Sequence, residues 1–358
     1  MKILDKYILK KYLSTYIFAV LIIVTIIIVI DYTEKIDDFH TKKAPNHAIL
    51  FDYYLNFIPY WANYISPLMV FISTVFFTAN LAVKTEIIAI LSTGVSFIRF
   101  LKPYFIGSTI IGLFTFYAVG WIIPKANKTR IAFEQKYVAG AYSYSNRNVH
   151  IKIDPENYVY MESYDNYMKT GYKFTIEKIK NNQLISKLTS DRITWDSTSK
   201  KWKIMDYRIR TFENNVQKLK FGTQLDTALS ITAKDFESNY QLQETFTNNE
   251  LEDYIKKTTL RGADGVEIYL IEKYMRYATP FGIVILTIIG AIVSARKSRG
   301  GVGFQIALGF LLAFVYIIFF LMSRGIAQSG GLNPMLAVWL PNIVFGGIGA
   351  LLYFTVPR

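Results

Sequence analysis

Six stretches of this chain contain no Asp, Glu, Lys, Arg or His: residues 12 to 30, 53 to 83, 103 to 124, 277 to 295, 300 to 323 and 325 to 357. Each can supply the ~20 apolar residues that cross a hydrocarbon core. Segments in lipid must satisfy their own backbone hydrogen bonds, so six such stretches constrain the chain to a helical membrane protein. The composition agrees, with 52% hydrophobic and 16% aromatic residues over 358 positions. The first stretch follows Met1-Lys-Ile-Leu-Asp-Lys6. Its apolar part is too long for a signal peptide and no small-residue cleavage site follows, so it reads as a retained span.

The net charge of +13 comes from basic residues scattered through loops, with no nucleic-acid motif. Lipid headgroups are the anionic partner this pattern suggests, and no nucleic acid is expected. The chain has no cysteine, which excludes disulfides and thiolate metal sites.

The stretches divide three and three around a polar segment, which sets the expected domains: 1 to 124, 125 to 265 and 266 to 358. Lys2, Lys6, Lys10 and Lys11 precede the first stretch; Lys84, Arg99 and Lys102 lie between the second and third; Arg296, Lys297 and Arg299 lie between the fourth and fifth. The positive-inside bias therefore puts these loops and both termini in the cytoplasm and the middle segment outside. Pro59, Pro67 and the glycines Gly301, Gly303, Gly309, Gly346, Gly347 and Gly349 read as ordinary helix packing.

The middle segment reads as β. Turn signals at Asp154-Pro-Glu-Asn157, Thr170-Gly171, Asn181-Asn182, Asp196-Ser-Thr-Ser199 and Asn214-Asn215 separate runs rich in Tyr, Ile, Val, Thr and Trp. Within Trp202 to Arg210 the apolar set starts on Trp202 and Ile204 and shifts to Met205, Tyr207 and Ile209, as at a β-bulge. The expected fold class is a six-span α-helical membrane protein with an inserted all-β, sandwich or jellyroll-like domain. Asn248 to Lys257 reads as a capped amphipathic helix returning to the membrane.

No catalytic constellation is visible. His40, His47 and His150 have no ligand spacing, no Gly-x-Ser-x-Gly occurs, and the dipeptide Gly-Lys is absent, so there is no phosphate-cradling loop. No metal site and no catalytic residue is expected. The spans also lack the ionisable groups that ion-coupled carriers commonly place at mid-membrane, although unwound backbone serves that role in some carriers.

The segment between the second and third stretches is informative. On a helix, Ile87, Ile88, Ile90 and Leu91 cluster on one arc, while Thr85, Glu86, Ala89, Ser92 and Thr93 lie opposite, and Gly94 can end it. Two readings stand: a helix resting on the bilayer, or a docking helix whose polar face, including Lys84 and Glu86, enters a groove on a soluble partner.

Thr85-Glu-Ile-Ile-Ala-Ile-Leu-Ser-Thr-Gly-Val-Ser96, Ser230-Ile-Thr-Ala-Lys-Asp-Phe236, Gly300-Gly-Val-Gly-Phe-Gln-Ile-Ala-Leu-Gly309, Ser329-Gly-Gly-Leu-Asn-Pro334 and Trp339-Leu-Pro-Asn342 resemble segments of the permease subunits of the lipopolysaccharide-export ABC transporter, the Lpt F/G type. The resemblance covers nearly the whole chain, and the end of the first span, Val29 to Phe39, leans toward the G-type subunit.

The resemblance implies a permease of the bacterial inner membrane with its jellyroll in the periplasm. The chain would hold no cofactor; ATP and Mg would be bound by a dimer of cytoplasmic ABC ATPases. A second permease, a single-span periplasmic jellyroll protein and a soluble bridge protein are the other implied partners. Lipopolysaccharide would be drawn from the inner membrane and passed toward the outer membrane. The segment 84 to 96 would be the coupling helix, with Lys84, Thr85, Glu86, Ala89, Ser92, Thr93 and Gly94 meeting the ATPase.

By the same resemblance, Lys35, Lys42, Lys43, Lys125, Lys128 and Arg130 would form a basic rim for lipid phosphates, with Arg324 and, equally, Arg276 as further candidates. Asp31, Glu34, Asp37 and Asp38 nearby leave two alternatives, pairing with those lysines or bridging to the lipid through divalent cations. Phe18, Phe71, Phe76 and Phe77 would line the lipid cavity, or simply touch the bilayer. A membrane-anchored scaffold and an ion-coupled lipid carrier remain competing readings.

Overall fold

The computed structural model describes residues 3–138, 147–213, 216–229, 231–236, 241–260, 265–295 and 301–354. Lys2, the Asn214-Asn215 turn, Ser230, Arg296, Lys297, Arg299 and Gly300 lie outside the described residues.

The chain begins with α1 (Ile3–Thr41), the short α2 (Asn46–Ala48), a π-helical turn (Ile49–Tyr54), α3 (Leu55–Tyr64), α4 (Ser66–Val83) and α5 (Glu86–Ser92). It continues with α6 (Phe97–Tyr117), a second π-helical turn (Ala118–Ile122) and α7 (Ile123–Tyr137). After the strands come α8 (Asn248–Leu260), α9 (Val266–Ser294), α10 (Gly301–Gln328) and α11 (Pro334–Phe354). Among the described residues six helices are long and apolar enough to cross a membrane: Ile3–Thr41, Ser66–Val83, Phe97–Tyr137, Val266–Ser294, Ile306–Gln328 and Pro334–Phe354. Together with a separate antiparallel sheet they fit a membrane protein carrying a β domain.

Local chemistry explains the breaks. Pro67 stands in the first turn of α4, where its missing N–H goes unused, and the chain bends at Ile65 just before it. Pro124 occupies the same kind of position in α7, so it does not stop the helix, and the third span runs on through Tyr137. Lys125, Lys128 and Arg130 therefore sit on a helix. Thr247 and Glu250 form a capping box at the start of α8: the Thr247 backbone N–H donates to the Glu250 carboxylate at 2.8 Å, and the Glu250 N–H donates to the Thr247 hydroxyl at 3.5 Å.

The chain divides into two compact units, one of Met1–Val138, Gln243–Leu251 and Glu267–Arg358, the other of Ala139–Leu242 and Glu252–Val266. In the first, Tyr12, Val70, Phe100, Tyr104 and Ile283 are core side chains. Hydroxyl pairs lie within this helical core: Tyr12 with Thr287 at 3.1 Å, Thr78 with Tyr104 at 2.9 Å and Tyr16 with Ser66 at 2.7 Å. Gly309 lets α10 approach α4, since a Cβ there would lie 2.9 Å from Val75 Cγ1.

The second unit is a seven-stranded antiparallel sheet of β1 (Val149–Lys152), β2 (Asn157–Met161), β3 (Ser163–Asp165), β4 (Thr170–Lys180), β5 (Gln183–Asp196), β6 (Lys201–Glu213) and β7 (Val216–Thr227). Its order is β1-β2-β4-β5-β6-β7 with β3 on β4, a meander of sequence neighbours. Lys173, Asp191, Asp206 and Thr223 fall on one line across β4 to β7, and the pairing skips them. All four are exposed, and Lys173 and Asp206 have φ of 51° and 49°. At this crease each strand changes which parity of residue it buries, so Ile193, Trp202 and Ile204 on one side and Phe174, Leu188 and Tyr207 on the other share one core. The bulge expected in β6 is not found: β6 keeps one register with β5 and with β7 on both sides of Asp206, so the parity change adds no residue, and the register shift lies instead between Lys178 and Ile179 of β4. The core set there is Trp202, Ile204, Tyr207 and Ile209, with Met205 outside it.

Candidate functional site

Three groups of residues carry the chemistry of the helical unit. The first is a polar cluster where α1, α3, α7, α9 and the segment before α8 converge. Its sequence signals are three i,i+4 ion pairs beside apolar stretches: Asp31 with Lys35 at 2.8 Å, Arg130 with Glu134 at 3.3 Å and Glu272 with Arg276 at 2.9 Å. The fold then links them. Lys35 Nζ also lies 3.3 Å from Glu134 and hydrogen-bonds the Tyr53 hydroxyl, and Tyr53 donates to Asp31 at 2.9 Å.

Arg130, only 3% exposed, donates to Asn127 at 3.2 Å, reaches Glu244 at 3.4 Å and lies 4.5 Å from the centre of the Tyr60 ring. Arg276 is likewise buried. It donates to the carbonyls of Phe246 at 2.9 Å and Gln243 at 3.2 Å and to Asn248 Oδ1 at 3.0 Å. Two buried arginines thus pin the segment 243 to 248 against the helices. Glu244 sits between them and accepts a hydrogen bond from Tyr60 at 3.1 Å. Its carboxyl is pushed up to about 7, by burial first and by Glu272 next, against the opposing pull of Arg130, Tyr60 and Arg324.

The expected basic rim is accordingly split. Lys35 and Arg130 are built into the cluster. Lys128 pairs with Glu250 at 3.1 Å, and Lys42 Nζ donates to the Val138 carbonyl at 2.9 Å. Lys43, at the end of α1 with φ of 52°, and Lys125 on α7 are exposed and make no ion pair among the described residues. Arg324 is partly buried beside Glu244.

The second group is α5. Ile87 is buried and Ile90 and Leu91 pack against the same core, the i, i+3 and i+4 row of a helix. Thr85, Ala89, Ser92 and Thr93 are exposed, Glu86 is half-buried, and the Tyr7 hydroxyl donates to Glu86 at 3.5 Å. Ile88 departs from the expected apolar arc: it lies off the packed row and is 54% exposed among the small polar residues. Gly94 terminates the helix with φ of 82°. Thr85, which starts it, takes a left-handed φ of 58°, so the joint between α4 and α5 is sharply bent. Asp5 of α1 is buried and holds Arg99, just after this loop, at 2.7 Å.

The third group is the aromatic set. Phe71 and Phe77 are buried among helices. Phe18 and Phe76 are 65% and 48% exposed and lie on open apolar surface. Only 6% of the most apolar window of α1 and 22% of that of α10 is buried, so these two helices present the widest open faces.

Sequence reasoning missed Glu244, Glu272, Tyr53, Tyr60 and Glu134 as members of one cluster. Their contacts join positions up to 184 residues apart, as from Tyr60 to Glu244. Among the described residues no group of His, Asp and Glu could hold a metal ion.

A family model described as lipopolysaccharide export system permease LptF/LptG matches residues 6–354. A comparison with curated proteins gave no match.

Proposed function

The chain belongs to the lipopolysaccharide export system permease LptF/LptG family, the transmembrane and non-ATPase side of an ABC export system, and from that premise we propose how its surfaces divide the work. α5 is the coupling helix. Its face of Thr85, Ala89, Ser92 and Thr93, with Ile88 as an apolar anchor and Glu86 and Lys84 at its start, docks in a groove of a cytoplasmic ATPase dimer that binds ATP and Mg. The open faces of α1 and α10, with Phe18 and Phe76, line the cavity shared with a second permease. Phe71 and Phe77 pack helices and do not touch lipid.

Of the basic candidates, Lys43 and Lys125 take the lipid phosphates, assisted by Lys42 and Lys128, because exposed cations can make charge-assisted contacts without breaking a buried pair. Lys35 and Arg130 hold the cluster that shapes the rim. Lipopolysaccharide then passes to the β domain on the periplasmic side, whose core includes Trp202 and Phe174, and on to a single-span jellyroll protein and a soluble bridge. Both termini face the cytoplasm of an inner-membrane protein. At ~0.8 kcal/mol per buried CH₂, a lipid with several chains does not leave a bilayer unaided, which is why an energy source must grip the permease.

The observation that carries this reading is the orientation of α5: its apolar row is consumed inside the helical core, leaving an outer face of small and polar residues with Ile88 as its one large apolar side chain. The chain has no native cysteine, so Ala89→Cys or Ser92→Cys provides a single reactive site. In membranes that also contain the proposed cytoplasmic ATPase, either variant is expected to crosslink to a cysteine placed in the ATPase groove. Crosslinking to lipid-phase reagents instead would return α5 to the bilayer surface.

A further inference from the structure

Two chambers meet between α3, α4, α9 and α10. One, of about 70 Å³, has the charged side chains Glu244, Glu272, Arg276 and Arg324 in its wall. The other, of about 180 Å³, is apolar and runs along Leu68, Ile317, Phe320 and Leu321. They share Asn63, Tyr64, Met275 and Thr279. A charged end continuous with an apolar end is complementary to an amphiphile. The apolar chamber is close in size to an engineered cavity of ~150 Å³ that holds one benzene, so it admits a segment of one chain and not the several chains of a glycolipid.

The charged chamber specifies the headgroup. Glu272 is occupied by Arg276. Arg324 makes no ion pair or hydrogen bond to another described residue, and it stands one turn before the end of α10. Asn63 Oδ1 is buried with no hydrogen-bond partner. Such an acceptor carries the full cost of desolvation until a donor reaches it. Glu244 adds a second acceptor, already shared with Tyr60 and Arg130. The chamber therefore offers one cation and an acceptor-rich wall, the complement of a zwitterion that has an anionic oxygen and N–H donors.

We propose that this two-chambered cavity holds one chain of an aminophospholipid from the surrounding bilayer, its phosphate against Arg324 and its ammonium donating to Asn63 and the Glu244 side. This lipid is resident in the subunit, distinct from the exported cargo, and its binding needs neither ATP nor a second subunit.

The test is retention of lipid by the full chain purified in detergent, counted on the intact complex by mass spectrometry. Phosphatidylethanolamine, phosphatidylglycerol and phosphatidylcholine are supplied separately as probes. The expected result is about one phosphatidylethanolamine per chain, held at least tenfold more tightly than phosphatidylcholine, whose quaternary nitrogen has no N–H to donate. Arg324→Gln, which removes the cation, and Thr279→Phe, which plugs the junction between chambers, each lower retention about tenfold. If Thr279→Phe does not fold, Arg324→Gln and the headgroup comparison decide. Equal retention of the three phospholipids, or unchanged retention in Arg324→Gln, overturns the proposal. Displacement of the bound lipid by lipopolysaccharide also overturns it, by assigning the cavity to the cargo route.

Discussion

Glu244 concentrates the residue-scale physics. Its carboxyl rises from the ordinary value of 4.5 to about 7 because burial outweighs its arginine neighbours. The folded state therefore keeps a proton through a window in which the unfolded chain has released it, and stability attributable to this group falls as pH rises from about 4.5 to about 7. Compared with Glu244→Gln, the natural chain is expected to lose up to about 3 kcal/mol of relative stability between pH 5 and pH 8. Thermal unfolding in detergent across that range checks this, and a gap independent of pH would refute it. Arg130 behaves differently: Arg130→Gln leaves Glu244 without its ion-pair partner and Glu134 with Lys35 alone, and is expected to cost about 3–5 kcal/mol. Neutralising Lys43 and Lys125 together should leave the unfolding midpoint unchanged and weaken lipopolysaccharide binding. The reverse pattern would move the headgroup contacts into the buried cluster.

At the scale of elements, the spans were legible because a charge-free run of apolar residues has few alternatives in water or lipid. The extent of the third helix was not legible, since polar residues after Pro124 look like a loop until Lys125 to Tyr137 are seen to continue the turn. The amphipathic segment was legible as a helix with its two faces, but the place of Ile88 was not: it counts as apolar in any periodicity, and only packing shows that Ile87, Ile90 and Leu91 are used and Ile88 is not. The crease in the sheet was half legible. Its parity change shows in β6 alone, whereas its alignment across β4 to β7 depends on register. Asp206→Gly should be tolerated at its φ of 49°, while Asp206→Val is expected to cost about 1–2 kcal/mol. Equal stability of the two would remove the argument that the crease is a built feature. Between helices, Gly309→Val must push α10 from Val75 Cγ1, 2.9 Å from the added Cβ, at a cost of about 1–3 kcal/mol. Gly347→Ala, which meets nothing within 4 Å, should stay within about 0.5 kcal/mol of the natural chain. Chemical or thermal unfolding of the pair in one detergent gives the comparison.

For the whole molecule, the helical unit can be read as a lever. The face of α5 is free at one end. Asp5–Arg99 and Tyr7–Glu86 tie the start of α1 to the same loop, and α1 exposes the greatest share of its apolar surface. A displacement imposed on α5 therefore reaches α1 directly as well as through α4. The candidate cluster around Glu244 was invisible in sequence for the same reason that it matters: it joins distant segments, and no local pattern announces a contact between Tyr60 and Glu244. The sequence carries no phosphate-cradling loop and no metal-ligand spacing, which is why a partner is the expected source of energy. The most direct test is lipopolysaccharide release from vesicles containing the permease pair and its ATPase, measured together with ATP hydrolysis for the natural chain and for Glu86→Lys. The account predicts ATP-dependent release by the natural chain and its loss in Glu86→Lys with membrane insertion intact; release by the permease without any ATPase, or full release by the variant, would contradict it.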